Sequence, residues 1–159
     1  MSSKICDISF HAVVVLMHVQ LDNFNWTCAN VLIGAGDPYS TAGAQAFESA
    51  ALDSKIDVCI KAEYVSGSGD MEGAIKDILD KKCCRVTVVF GQAQDLTSIF
   101  LEAHKQHYDG EWVVGESIMG SLDGIVKSLK RHLPEPAVHK LLRGMYEFTL
   151  GEVVILASP

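Results

Sequence analysis

Two histidines, His104 and His107, stand three residues apart beside Glu102, a spacing at which one helical face can present two imidazoles to a metal ion. No third ligand follows at a matching spacing, so the pair reads as the polar end of a solvated helix. Cys83 and Cys84 are adjacent rather than spaced as Cys-x-x-Cys. A disulfide between neighbours is strained, and a turn leading into a strand is the simpler reading. Cys28 and Cys59 sit in apolar runs, where a thiol behaves as a small hydrophobe, and both are expected to be buried and inert. Ser117, in Gly115-Glu116-Ser117-Ile118-Met119, lacks the Gly-x-Ser-x-Gly elbow that would raise a nucleophile. Gly34 and Gly36 begin a dinucleotide fingerprint, but Tyr39 stands where the third glycine belongs and would hold a helix away from a pyrophosphate. No cofactor is expected, and the chain reads as a non-enzyme.

Composition narrows the classes further. Thirteen Lys and Arg against twenty Asp and Glu leave a net charge of −7, and the basic residues are scattered apart from Lys127, Lys130 and Arg131, which disfavours nucleic acid as a partner. With 159 residues, 48% hydrophobic, the chain is expected to be one globular domain over 1–159, burying about 68–70% of its unfolded surface without needing cross-links. The runs Ala12 to Met17 and Val153 to Ala157 fall short of the roughly 18 residues that span a bilayer, and His11 interrupts what a secretory signal would need.

The elements that must position any site alternate. Helical spacing over Ile8 to Phe24 is followed by a strand from Trp26 to Ile33 and a Gly34–Pro38 turn. A helix over about Tyr39 to Asp53 comes next, with Ala42, Ala46, Phe47 and Ala50 on one face. Ile56 to Ala62 reads as a strand, Met71 to Asp80 as a helix with Ile75, Ile78 and Leu79 inward, and Arg85 to Phe90 as a β-branched strand. A helix marked by Leu96, Ile99, Phe100 and Ala103 leads to a short strand, Glu111 to Val114. Helices over Ser121 to His132 and Val138 to Gly144, separated by Pro134 and Pro136, precede a strand near Met145 to Leu150. This alternation predicts an α/β three-layer sandwich, a mostly parallel open sheet with helices on both faces. Ligands then bind beyond the carboxyl ends of the strands, at Gly34 to Tyr39, Ala62 to Ser66, Gly91 to Asp95 and Gly115 to Gly120.

Several words in these segments carry a resemblance. Asn23-Phe24-Asn25-Trp26, Gly36-Asp37-Pro38-Tyr39-Ser40, Val58-Cys59-Ile60, Arg85 to Gly91 and Trp112-Val113-Val114-Gly115-Glu116-Ser117 resemble, in order and spacing, the second lobe of type 1 periplasmic-binding-protein-like receptors. That superfamily includes the ligand-binding regions of class C G-protein-coupled receptors and natriuretic peptide receptors. The resemblance covers about Val13 to Leu150 and implies a two-lobed clamshell of which this chain is lobe 2. It implies a first lobe and a membrane or signalling domain elsewhere in a parent receptor, and a location outside the plasma membrane or in the periplasm.

By the same resemblance Tyr39 contacts a small amine or amino acid, and Glu116, in place of the family's aspartate, holds its ammonium group. Asp37, Ser117 and Gln92 complete the candidate ligand-binding set. The family's glycine after the tyrosine is Ser40 here. The expected function is a ligand-sensing lobe that signals by clamshell closure. The alternative is an interaction or homodimerisation module that keeps the fold without the ligand, and a nucleotide- or flavin-dependent enzyme stands behind both.

Overall fold

The computed structural model describes residues 25–114, 122–143, 145–149 and 152–155. The helix expected over residues 8–24 and the loop of residues 115–120 lie outside the described residues. The elements run β1 (Cys28–Ala35), α1 (Pro38–Ser54), β2 (Asp57–Val65), α2 (Glu72–Lys81), β3 (Val86–Phe90), α3 (Ala93–Lys105), β4 (Glu111–Val114), α4 (Leu122–His132), α5 (Glu135–Arg143), β5 (Met145–Thr149) and β6 (Glu152–Ile155). They form one sheet of order β2-β1-β3-β4-β5-β6. The first five strands are parallel to their neighbours, and β6 returns antiparallel on β5.

Alternation along the strands sends side chains to two separate cores. On one face Val31 and Ile33 of β1 and Val88 and Phe90 of β3 meet Ala44, Phe47 and Ala51 of α1. On the other, Leu32, Ile60, Val89 and Trp112 meet the inward stripes of α2, α3, α4 and α5. Trp112 is 1% exposed and packs edge-on to Phe100, with ring centroids 5.4 Å apart, and against Tyr108 at 4.7 Å. Each such fully buried side chain contributes about 1.5–3 kcal/mol of transfer free energy. The fold is thus the expected three-layer sandwich, one lobe of a periplasmic-binding-protein-like architecture.

Details depart from the periodicity. The inward stripe of α1 is Ser40, Gly43, Ala44, Phe47 and Ala51, rotated from the expected Ala42, Ala46 and Ala50. Alanine is apolar enough to mark either stripe, and the small residues Gly43 and Ala44 fall on the buried side. Strand β2 runs three residues beyond Ala62, because Ala62 and Tyr64 continue the buried alternation while Glu63 and Val65 face outward. Helix α5 begins at Glu135 despite Pro136. A proline in the first helical turn lacks an N–H that would have no intrahelical partner there.

The cysteines require the largest correction. Cys28 and Cys59 are half-buried rather than free core thiols, and each is bridged, Cys28 to Cys84 and Cys59 to Cys83, with Cα atoms 5.8 and 6.1 Å apart. Adjacent Cys83 and Cys84 therefore reach two different strands instead of each other. Cys59 is the residue skipped where the β1–β2 register shifts between Ala29/Val58 and Asn30/Ile60, a bulge that re-aims its side chain. The bridges span sequence separations of 56 and 24 residues, and loops of that length contribute about 3–4 kcal/mol each on the chain-entropy account.

Candidate functional site

Strands β1 and β3 are neighbours at the sheet centre, yet the helices that follow them leave to opposite faces, α1 to one and α3 to the other. Their divergence opens a crevice at the carboxyl ends, the topological switch point where open α/β sheets bind ligands. A depression of about 330 Å³ lies there, lined by Asp37, Tyr39, Gly91, Gln92 and Ala93. Its size is at the small end of the range for small-molecule sites.

The wall supplied by β1 is built by a tight turn and a helix cap. Gly36 takes φ +86°, a left-handed conformation that glycine adopts without a Cβ penalty. Asp37 then caps α1: its carboxylate accepts hydrogen bonds from the Ser40 amide at 3.2 Å and from the Ser40 hydroxyl, and its carbonyl accepts from the Thr41 amide at 3.1 Å. The Ser40 hydroxyl chiefly holds the Asp37 carboxyl below its ordinary range, burial opposes this, and the Gln92 side chain adds to the lowering. Asp37 is accordingly a carboxylate at neutral pH. Tyr39 projects from the first turn of α1, 47% exposed. Gln92 precedes α3 in an extended conformation, with no side-chain capping bond to the helix.

The floor is made by two residues outside the expected ligand-binding set. Tyr64, 4% exposed, ends β2 beneath the crevice and donates its hydroxyl to Asp95 Oδ2 at 3.3 Å. Asp95, 3% exposed in the first turn of α3, also accepts from the Ser66 hydroxyl at 2.8 Å and the Gly67 amide at 2.9 Å. One buried carboxylate thereby ties the first turn of α3 to the end of β2 and to the loop after β2, with its hydrogen-bonding capacity satisfied. Glycines on either side leave room for the phenol. A Cβ at Gly91 would overlap the Tyr64 hydroxyl, and one at Gly34 would stand 3.1 Å from it and 3.5 Å from Ser40 Oγ. Burial, reinforced by the Asp95 charge and hydrogen bond, raises the Tyr64 pKa, so the phenol stays a neutral donor.

Three of the five expected site residues, Asp37, Tyr39 and Gln92, are brought to one depression. Glu116 and Ser117 lie outside the described residues, two and three positions beyond the end of β4, whose Val114 pairs with Val89 on β3. The floor residues did carry a signal. Tyr64 continues the period of two set by Ile60 and Ala62, and Asp95 holds a first-turn position at which a carboxylate favours the helix dipole.

The histidine pair weighed as metal ligands, and read as a solvated helix end, sits elsewhere. His104 and His107 are exposed and line a different cavity with Arg85, Glu111 and Lys140 at the amino-terminal ends of β3 and β4. Glu102 is engaged by Gln106 Nε2 at 2.7 Å and by Lys105 Nζ at 3.3 Å. Among the described residues, the group whose donor atoms converge is Cys59, Cys83 and Cys84. That cluster and the histidine cavity occupy the end of the sheet opposite the switch point, where strand topology does not place ligands. A family model described as the receptor family ligand-binding region matches residues 10–154.

Proposed function

The chain belongs to the receptor family ligand-binding region, and from that premise we propose that it is a ligand-sensing lobe whose switch-point crevice takes a small amine or amino acid. The observation that carries the reading is the convergence of Asp37, Tyr39 and Gln92 at the carboxyl ends of β1 and β3. An aromatic face, an ionised carboxylate and an amide suit a ligand with an ammonium group and a second polar end. Cation–π attraction contributes about 0.5–2 kcal/mol depending on desolvation, and a charge-assisted hydrogen bond adds direction. In this reading Tyr39 stacks on the ligand, Gln92 hydrogen-bonds it, and Asp37 fixes the turn that aims Tyr39. Glu116 pairs with the ammonium and Ser117 offers a hydroxyl from the neighbouring loop.

Signalling follows from differential binding. A ligand held by this lobe and by a facing lobe favours the closed pair over the open one through interactions that form only on closure, and a downstream domain reads that shift. The proposed setting is the outer face of a membrane, as part of a receptor.

The reading is tested by thermal unfolding of the chain with millimolar α-amino acids, ω-amino acids and simple amines, and of its Tyr39→Ala and Glu116→Ala variants. A ligand at 100 times its dissociation constant stabilises the folded state by about 2.7 kcal/mol. The expected result is a shift with one amine class that both substitutions abolish. A shift that survives both substitutions rejects the assignment.

A further inference from the structure

We propose that Cys28, Cys59, Cys83 and Cys84, once their two bridges are reduced, form a tetrathiolate site for a soft divalent ion of the zinc class. The Sγ atoms of Cys59, Cys83 and Cys84 all lie within 4.8 Å of one another, and the sulfur of Cys28 is bonded to that of Cys84, so three sulfurs share one place and the fourth stands one bond away. A tetrahedral zinc site with bonds of about 2.3 Å sets its sulfurs about 3.8 Å apart, so Cys28, freed from its bridge, has to turn toward Cys59 and Cys83. The donors come from fixed segments. Cys28 starts β1 in register with Asp57 of β2, Cys59 is held in β2, and the Cys84 carbonyl accepts from Asn30 Nδ2 at 3.0 Å.

The surroundings admit both a reductant and an ion. Cys83 is exposed, and a 470 Å³ cavity opens on Cys83 and Cys84, walled by Lys82, Arg85, His107 and Asp109 among others. Lys82 and Arg85 on its wall offset the charge of −2 on an ion with four thiolates, while Asp109 opposes them in part. Reduction by a dithiol transfers two electrons and two protons to each bridge, giving four thiols and two molecules of oxidised dithiol. Binding of the ion then releases up to four protons. The same residues thus serve as cross-links in an oxidising compartment and as a metal site in a reducing one. The site lies at the opposite end of the sheet from the ligand crevice and does not depend on the reading given above.

The test uses the 159-residue chain with Cys6→Ser, so that four thiols remain, reduced with a phosphine under anaerobic conditions and titrated with cobalt(II). The expected result is one ion per chain with tetrahedral d–d and thiolate-to-cobalt charge-transfer absorption, displaced one-for-one by zinc, which these ligands bind more tightly. The oxidised chain gives none of this absorption, and Cys83→Ser loses charge-transfer intensity. If reduction alone unfolds the chain, far-UV circular dichroism recovers on adding zinc, as for other coupled sites. Absence of tetrahedral cobalt absorption from the reduced chain, folded or not, overturns the proposal. Equal absorption from the oxidised chain, or from a variant with Cys28, Cys59, Cys83 and Cys84 all replaced by serine, also overturns it.

Discussion

Adding one methyl group at Gly91 tests whether the crevice floor is held as described. A Cβ there would overlap the Tyr64 hydroxyl, whereas the adjoining ring carbon would stand at an ordinary 3.4 Å. The conflict therefore belongs to a single oxygen. Relief requires the buried ring to move and its bond to Asp95 to break, so Gly91→Ala is expected to cost about 2–4 kcal/mol, about 1–3 from overpacking and about 1 from the hydrogen bond. Tyr64→Phe alone should cost about 1 kcal/mol, because Asp95 keeps its bonds from Ser66 and Gly67. In the double variant the oxygen is already absent and alanine meets only the ring carbon. Gly91 does not occupy the left-handed region, so alanine there carries no backbone strain and trims unfolded-state entropy by about 0.4–1 kcal/mol. The double variant should accordingly match Tyr64→Phe to within about 1 kcal/mol, a coupling of roughly 2–4 kcal/mol. Urea unfolding of all four proteins reads this directly, provided the slope with denaturant is unchanged. Additivity within about 0.5 kcal/mol refutes the shared-oxygen account.

Gly110 provides the contrasting case, since a Cβ there would overlap both the Tyr108 hydroxyl and the Arg85 carbonyl. Gly110→Ala should cost about 2–3 kcal/mol or more, and Tyr108→Phe should fail to rescue it, because a backbone carbonyl cannot step aside. Asp95→Asn replaces a carboxylate oxygen that accepts by an NH₂ group that donates, so a loss of about 1–3 kcal/mol is expected, with faster hydrogen exchange at the Gly67 amide; unchanged exchange contradicts the tie described. Burial pushes the Tyr108 phenol up to about 12, so the folded state keeps a proton that the unfolded state releases near pH 10. That stabilisation is complete below about pH 10 and is lost as pH rises toward about 12, and Tyr108→Phe should flatten the alkaline fall in urea midpoint. Asp37 behaves oppositely. Its lowered pKa contributes stability above the ordinary carboxylate value that is lost as pH falls through and below it; Asp37→Asn should keep the cap without this acid loss, and Asp37→Ala should cost about 0.5–2 kcal/mol at neutral pH.

The depression formed by Asp37, Tyr39 and Gln92 joins residues more than fifty positions apart in the chain. Its location follows from strand order, while its chemistry follows from what caps each helix. Asp37 serves two ends at once, since the carboxylate that caps the start of α1 also lies beside Gln92, and the Ser40 hydroxyl is the chief cause of its lowered pKa.

Much of this was legible in the residues alone. Strands such as Val86–Phe90 and Glu111–Val114 and helices with stripes such as Leu96, Ile99, Phe100 and Ala103 declare themselves, because burial on a sheet or helix face imposes a period that local order preserves. Alternation of strand and helix then implies a parallel sheet, and the sheet implies which loops can bind. What periodicity could not convey is any contact between residues distant in the chain. The rotated face of α1, the hydroxyl of Tyr64 lodged between Gly34 and Gly91, and the carboxylate of Asp95 that joins α3 to β2 and its following loop are set by how close the elements come, a distance no single segment encodes. The cysteines show the same division. Each looked like an isolated apolar or turn residue in its own segment, and only the pairing of β1 with β2 and β3 brings the four cysteines together in two bridges, because a parallel sheet aligns the beginnings of strands that the chain keeps far apart.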